Sequence, residues 1–131
     1  MTNPIALDSV LAGFDAVWSP RIVANVNDYD IRLARFGGEH VWHVHEDTDE
    51  FFLVLDGEIE IGLREPAGER VVTVARGSVF VVPRGTFHKP SSKGGAVVLL
   101  VEPSGTLSVG DEHDEVPDHV DVTVGHRVET A

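Results

Sequence analysis

The sequence predicts an all-β domain, a sandwich or barrel, with one short helix at the N-terminus. Two observations lead to this fold class. From residue 28 onward, short apolar or alternating runs recur at strand length, and residue pairs typical of turns separate them. Helical spacing of apolar residues is confined to residues 7–18. At 131 residues the chain has the length of one domain, which we divide into an N-terminal helical segment (1–27), a barrel (28–109) and an acidic C-terminal segment (110–131).

The N-terminal helix is predicted over residues 7–18. Asp8 can cap its first turn, and Pro20 prevents it from continuing. Five apolar residues share one face at helical spacing: Val10, Leu11, Phe14, Val17 and Trp18. This stripe favours a helix packed over one end of the barrel or on a dimer mate, rather than a helix that binds another protein.

Strand periodicity begins at Asp28, and the first strand ends at Gly37-Gly38. Its two faces carry Tyr29, Ile31 and Leu33 on one side and Asp30, Arg32 and Ala34 on the other. Further strands are predicted over residues 41–45, 51–55, 58–64, 71–75, 78–82 and 96–101. The turn signals between them include Asp56-Gly57, Arg76-Gly77 and Lys93-Gly94-Gly95.

The C-terminal segment differs in composition from the rest of the chain. Residues 110–131 hold seven acidic residues against Arg127, so they carry half of the net charge of −12. Residues 119–124 nevertheless alternate like an edge strand, and we expect partial order. Three histidines of this segment are expected at the surface: His113, His119 and His126.

The composition excludes several classes of function. A net charge of −12 with ten scattered Lys and Arg residues leaves no basic surface for nucleic acid. The chain has no cysteine, so any metal must be held by nitrogen and oxygen. No apolar run is long enough to cross a bilayer and residues 1–18 do not resemble a secretion signal, so no membrane partner and a cytoplasmic location are expected.

A metal site is predicted from two stretches of the chain. His43 and His45 are one residue apart, so in a strand both rings point to the same face, with Cα atoms roughly 6.6 Å apart. A polar turn over residues 46–49 then returns the chain to Glu50. The second stretch, residues 77–88, is a buried strand and a turn that deliver His88. Three imidazoles and one carboxylate then converge.

The same residues resemble the two sequence motifs of the cupin family. The first motif is matched by Gly37, five residues, His43-x-His45, four residues, Glu50, six residues and Gly57. The second is matched by Gly77, five residues, Pro83-x-Gly85, two residues and His88, with Ser92 where a cupin often has Asn. The resemblance covers residues 28 to about 101 and is greatest to small single-domain bacterial cupins that are similar to mannose-6-phosphate isomerase, through residues 42–50 and 102–106. It implies a jelly-roll barrel (a double-stranded β-helix) and a homodimer.

The predicted ligands are His43, His45, Glu50 and His88, and they suit one divalent transition metal ion: Zn, Fe, Mn, Ni or Co. Because imidazole must be neutral to bind metal, affinity is expected to fall as pH drops through about 6.5. Strand parity places Val41, Phe52 and Val54 on the cavity wall, and Lys89 could reach a carboxylate substrate. His40 has the opposite parity to the ligands and is more typical of a surface histidine, although it remains a candidate proton carrier.

The leading functional hypothesis is a metal-dependent isomerase or epimerase that acts on a small carbonyl acid through a metal-stabilised enolate. The proton carrier would be Glu50, a metal-bound hydroxide or His40. The resemblance to small bacterial cupins that tailor natural products implies a role in secondary metabolism. Two alternatives remain open: an Fe(II)-dependent dioxygenase, and a non-catalytic cupin that binds a small molecule or a metal.

Overall fold

The computed structural model describes residues 3–129 and confirms an all-β domain with a short N-terminal helix. The helix α1 spans Leu7–Leu11. The strands are β1 (Arg21–Val26), β2 (Tyr29–Glu39), β3 (His43–Val44), β4 (Glu50–Glu65), β5 (Gly68–Ala75), β6 (Val79–Val82), β7 (Phe87–Pro103), β8 (Glu112–His113) and β9 (His126–Arg127). The helix is not long and apolar enough to cross a membrane, and no other helix in the described range is.

Two long strands, β4 and β7, form the centre of the sheet. The strand order is β5-β4-β7-β2-β1-β9. In addition, β6 pairs with β4 and β3 pairs with β7, and every strand pairing is antiparallel except that of β1 with β9.

The predicted turn at Asp56-Gly57 is wrong, since it is a bulge inside β4. A Cβ atom on Gly57 would lie 2.3 Å from the Gly95 carbonyl oxygen, and Gly57 has φ +75°. Lys93-Gly94-Gly95, also predicted as a turn, lies inside β7, so β7 starts nine residues before the predicted 96.

The interior of the barrel is apolar except at one end. Its core includes Phe36, Phe52, Val54, Ile59, Ile61, Leu63, Val98 and Leu100. Along β2, however, the inward face also carries Asp30 and Arg32, and both are almost fully buried. The opposite face of β2 is covered as well, because Leu33 packs with Val10 and Leu11 of α1. The helix therefore lies against the outside of the sheet.

The N-terminal segment departs from its prediction. The helix has five residues instead of twelve, begins after Ala6 and receives no capping hydrogen bond from Asp8. Trp18 does not lie on a helical face; it has φ +53° and is 3% exposed, and its ring packs 4.3 Å from that of Phe36 inside the barrel. Burial of a large aromatic ring outweighs the propensity of a short helix. The strand β1 was not predicted.

The C-terminal segment packs against the barrel. The predicted edge strand over residues 119–124 is wrong: this stretch is irregular, and its Val120 is buried in the core. Pairing occurs instead at β8, which lies beside β3, and at β9, which lies beside β1. The three histidines of the segment are exposed, as expected. The backbone carbonyl of Val124 accepts a hydrogen bond from Arg32, so the segment is fastened to the barrel interior.

Candidate metal centre

The structure brings four buried side chains together, which we call the histidine–glutamate cluster: His43, His45, Glu50 and His88. One ligand atom from each lies within 4.8 Å of the others. His43 on β3 pairs directly with His88 on β7, and Glu50 opens β4 after the polar turn. His45 follows directly after β3, so two neighbouring strands, the residue after the first of them and the start of β4 place three imidazoles and a carboxylate around one point.

Backbone carbonyls orient two of the imidazoles. The Nδ1 of His43 lies 2.8 Å from the Val41 carbonyl oxygen, and that of His88 lies 2.9 Å from the Thr86 carbonyl oxygen. A ring that donates its Nδ1 proton to a carbonyl presents Nε2 as an electron-pair donor, which is the usual arrangement of a metal-binding histidine. The donor atoms thus fit a divalent ion, and the Nδ1 contact of His43 gives this ring the tautomer that metal binding requires.

The carboxylate of Glu50 lies between two of the rings. Its Oε1 is 3.0 Å from His88 Nε2, and its Oε2 is 3.7 Å from His45 Nε2. His45 Nε2 is buried and has no hydrogen-bond partner among residues 3–129. An unpartnered buried nitrogen is costly, and a metal ion would satisfy it. This orphaned nitrogen is the second observation that fits a bound ion.

Burial keeps two imidazoles of the cluster in the protonation state that a metal requires. Burial lowers the pKa of His43 well below its usual range, and it also lowers the pKa of His45. Burial alone would raise the pKa of Glu50, but the hydrogen bond with His88 holds this pKa below its usual value. His43 and His45 therefore stay neutral below pH 6.5, so we expect their part in metal binding to be lost at a lower pH than the sequence alone suggested.

A cavity of about 30 Å³ adjoins the histidine–glutamate cluster. His43 and Glu50 line one side of it, and Trp18 and Phe52 contribute apolar wall. A volume of about 30 Å³ holds roughly two water molecules, since each needs about 10–15 Å³.

His40 also lines this cavity and is 7% exposed, so the surface position favoured by strand parity is wrong. The register of β2 shifts between Phe36 and Gly38, and β2 ends at Glu39, so the alternation of faces does not continue to residue 40. Its ring centroid lies 4.7 Å from that of His43. Burial lowers the pKa of His40 to about 4.

The predicted pocket residues have different positions. Phe52 lines the cavity, whereas Val41 and Val54 are buried in the core beside it without forming its wall. Lys89 is half-buried, and its Nζ lies 3.1 Å from Glu39 Oε1, so it forms an ion pair instead of facing the cavity.

Sequence reasoning missed Glu102, which lines the same cavity and is 2% exposed. Arg32 Nη1 donates to its Oε1 at 3.1 Å. Burial raises the pKa of Glu102 well above its usual range, and the nearby negative charge of Glu50 adds to the effect. One signal could have located this residue. Alternate residues of a strand share a face, and Val98 and Leu100 face the core, so Glu102 is expected to place its carboxylate inside the barrel as well.

Known proteins resemble this chain in sequence and in fold. The model of the Cupin domain family matches residues 34–102. The uncharacterized protein YdbB of Bacillus subtilis is 42% identical over 80 residues, which are 61% of this chain and 68% of YdbB. Plant germin-like proteins also match, and this chain spans 32% to 54% of their length.

Solved structures share the barrel. A cupin-2 domain protein from Shewanella frigidimarina superposes with a TM-score of 0.71 at 37% identity, over 76% of this chain and 93% of that one. Hydroquinone 1,2-dioxygenase from Sphingomonas sp. TTNP3 superposes with a TM-score of 0.65 at 23% identity, over 77% of this chain and 32% of that one. The latter likeness shows the fold alone.

Proposed function

Since the chain belongs to the cupin family, we propose that it is a metal-dependent enzyme whose ion is held by the histidine–glutamate cluster. The observation that carries the proposal is the convergence of four buried ligand atoms within 4.8 Å beside a cavity. A set of three imidazoles and one carboxylate leaves positions open on a five- or six-coordinate ion, and a substrate can occupy them.

The reaction that we propose is isomerisation or epimerisation of a small carbonyl acid. A bound divalent ion would supply Lewis-acid chemistry, in that it polarises the carbonyl of a chelated acid and makes the adjacent C–H group acidic. The apolar wall formed by Phe36, Phe52 and Leu100 lowers the local dielectric and so strengthens electrostatic interactions in the site. His40 lines the same cavity and is the candidate to accept a proton from a bound substrate, and its pKa of about 4 makes it a weak base.

The first test is the metal. Protein purified without chelator and analysed for metals should contain close to one equivalent of a divalent ion, and His88→Ala should reduce this content severely. His119→Ala is the matched control, because His119 is exposed and its Nε2 contacts only the Glu39 carbonyl among residues 3–129. Equal metal content in wild type and His88→Ala would refute the proposed ligand set.

The second test is the reaction class. Metal-loaded protein incubated with pyruvate and larger 2-oxo acids in deuterated water should exchange protons next to the carbonyl, detected by NMR, without consuming O2. His88→Ala should abolish the exchange, and His119→Ala should retain it. Full exchange by His88→Ala would contradict a metal mechanism.

A second candidate function, an Fe(II)-dependent dioxygenase, is favoured by the ligand set. Three buried imidazoles and one carboxylate that leave positions open suit Fe(II) as well as a redox-inert ion. Predominant iron together with substrate-dependent O2 uptake would establish this reaction and overturn the isomerase. A protein that binds metal but catalyses neither reaction would be a non-catalytic binding cupin.

A further inference from the structure

We propose that a second cavity, away from the metal centre, binds a small carboxylate with an apolar body, and that Arg21 recognises the carboxylate group. This cavity, which we call the N-terminal cavity, has a volume of about 620 Å³. It is lined by residues of the N-terminal segment, by Arg21 and by residues 126–129. Within residues 3–129 it shares no lining residue with the cavity at the metal centre, so the proposal depends neither on the metal nor on the reaction.

The first argument is the environment of Arg21, which is the first residue of β1. Arg21 is half-buried, and its Cζ atom lies over the Phe14 ring, 4.6 Å from the ring centroid. Its buried Nε has no hydrogen-bond acceptor among residues 3–129. Four other arginines of the described chain form ion pairs with acidic side chains, and Arg21 forms none there. A guanidinium group that is held by an aromatic ring keeps its N–H groups for an anion, and it can bind a carboxylate through two parallel hydrogen bonds.

The second argument is the charge of the lining. Two guanidinium groups and one carboxylate line the N-terminal cavity, namely those of Arg21, Arg127 and Glu129. The lining is therefore positive, although the chain has a net charge of −12. Because the chain as a whole repels anions, a positive lining favours an anionic ligand at this place in particular.

Asp121 does not form an ion pair with Arg21. It is close enough to interact with the charge of Arg21, but its Oδ2 accepts a hydrogen bond from Ser19 Oγ at 2.8 Å and lies 2.6 Å from His126 Nε2. His126 lines the cavity, and this contact engages one of its ring nitrogens. The guanidinium group of Arg21 therefore remains available to an anion that enters the cavity.

The third argument is the apolar part of the wall. Four half-buried residues form it: Ile5, Val10, Phe14 and Val128. A volume of about 620 Å³ is within the range of roughly 300–1,000 Å³ that small-molecule sites have. This lining suits a ligand whose carboxylate meets Arg21 and whose hydrocarbon part covers the four apolar side chains.

Hydrogen bonds hold both sides of the N-terminal cavity in place. Arg35 donates to the backbone carbonyl oxygens of Leu11 and Phe14, at 2.8 and 3.0 Å, and so fixes the segment that follows α1. On the other side, the Val128 amide donates to the Ile22 carbonyl oxygen at 3.0 Å. The walls are therefore ordered before a ligand arrives, which lowers the entropic cost of binding.

The test is an NMR titration of isotope-labelled protein loaded with Zn(II), with hexanoate as the probe. Hexanoate should shift the amide resonances of Arg21 and of residues 126–128, with a dissociation constant of about 1 mM or below. Acetate has the carboxylate without the hydrocarbon chain, and hexanol has the chain without the charge. Both should bind at least about tenfold more weakly than hexanoate.

Three variants assign the binding to this cavity. Arg21→Gln should weaken hexanoate binding by about tenfold or more, because it removes charge-assisted hydrogen bonds. Arg76→Gln is the matched control, since Arg76 is exposed after β5 and does not line the cavity, and it should change the affinity by less than about twofold. Ser9→Glu adds an acid to the wall at an exposed position of α1 and should weaken binding by at least about threefold.

The outcomes separate this inference from the proposed function. Equal affinity in wild type and Arg21→Gln would overturn it, as would hexanol that binds as tightly as hexanoate or the absence of a saturable shift. Shifts confined to residues 43–45 would place hexanoate at the metal centre, which overturns the N-terminal cavity as a site but leaves the proposed function standing. Shifts at residues 126–128 in a protein that does not take up Zn(II) would do the reverse. Should Arg21→Gln fail to fold, wild-type affinity in Ser9→Glu would refute the proposal.

Discussion

Replacement of His40 by glutamine should change how the stability of the metal-free protein depends on pH. Burial lowers the pKa of His40 to about 4 in the folded state, and an unfolded chain titrates near 6.5. Between these two values the unfolded state binds a proton that the folded state does not bind. The folded state therefore loses stability as pH falls through this window, and it regains stability as pH rises.

The magnitude follows from the width of the window. One pH unit corresponds to 1.36 kcal/mol for a single group, so the interval from 6.5 to about 4 is worth about 3 kcal/mol for His40. His43 and His45 add to the same trend, since burial lowers their pKa values as well. Only the difference between wild type and His40→Gln isolates the contribution of His40.

The assay is urea denaturation at intervals between pH 7 and pH 4.5 in the presence of a chelator. We expect the free energy of unfolding to fall less steeply in His40→Gln than in wild type, by about 1 kcal/mol per pH unit below pH 6.5. His119→Gln, at an exposed position, should keep the wild-type slope. Identical slopes in wild type and His40→Gln would refute the reasoning, because a buried neutral imidazole at the cavity wall must produce this linkage.

Two further predictions concern the frame of the site. Gly57→Ala should destabilise the protein by more than about 2 kcal/mol, because its φ of +75° is strained for alanine and its Cβ would lie 2.3 Å from the Gly95 carbonyl oxygen. Gly85→Ala, at φ +77° with no other atom within 4 Å, should lose only about 1–2 kcal/mol, and equal losses in urea would contradict the crowding argument. Arg32→Met should cost about 3–5 kcal/mol, because it leaves two buried carboxyl groups without their cation. Limited proteolysis should also cleave the C-terminal segment of this variant faster, and an unaltered cleavage rate would argue against the role of Arg32 in fastening that segment.

Strand alternation and turn signals gave correct predictions where the position of a side chain depends on residues close to it in the chain. Alternation along a strand places His43 and His45 on one face, and the polar turn before Glu50 brings the carboxylate back to them. Turn signals gave wrong predictions at Asp56-Gly57 and at residues 93–95. A glycine with positive φ is as compatible with a β-bulge inside a strand as with a turn between strands. Helical spacing also gave a wrong prediction at Trp18, where a place in the barrel core was more favourable than another turn of helix.

By itself the sequence determined the all-β class and the four residues of the histidine–glutamate cluster, because strand period and motif spacing are short-range properties of the chain. Tertiary structure decided what surrounds the cluster. Glu102 and Arg32 are 70 residues apart and meet only because β2 pairs with β7. His40 reaches the cavity through a register shift that no periodicity predicts. The closeness of such groups, their burial and their pKa values arise from packing between distant segments, and spacing along the chain does not encode that packing.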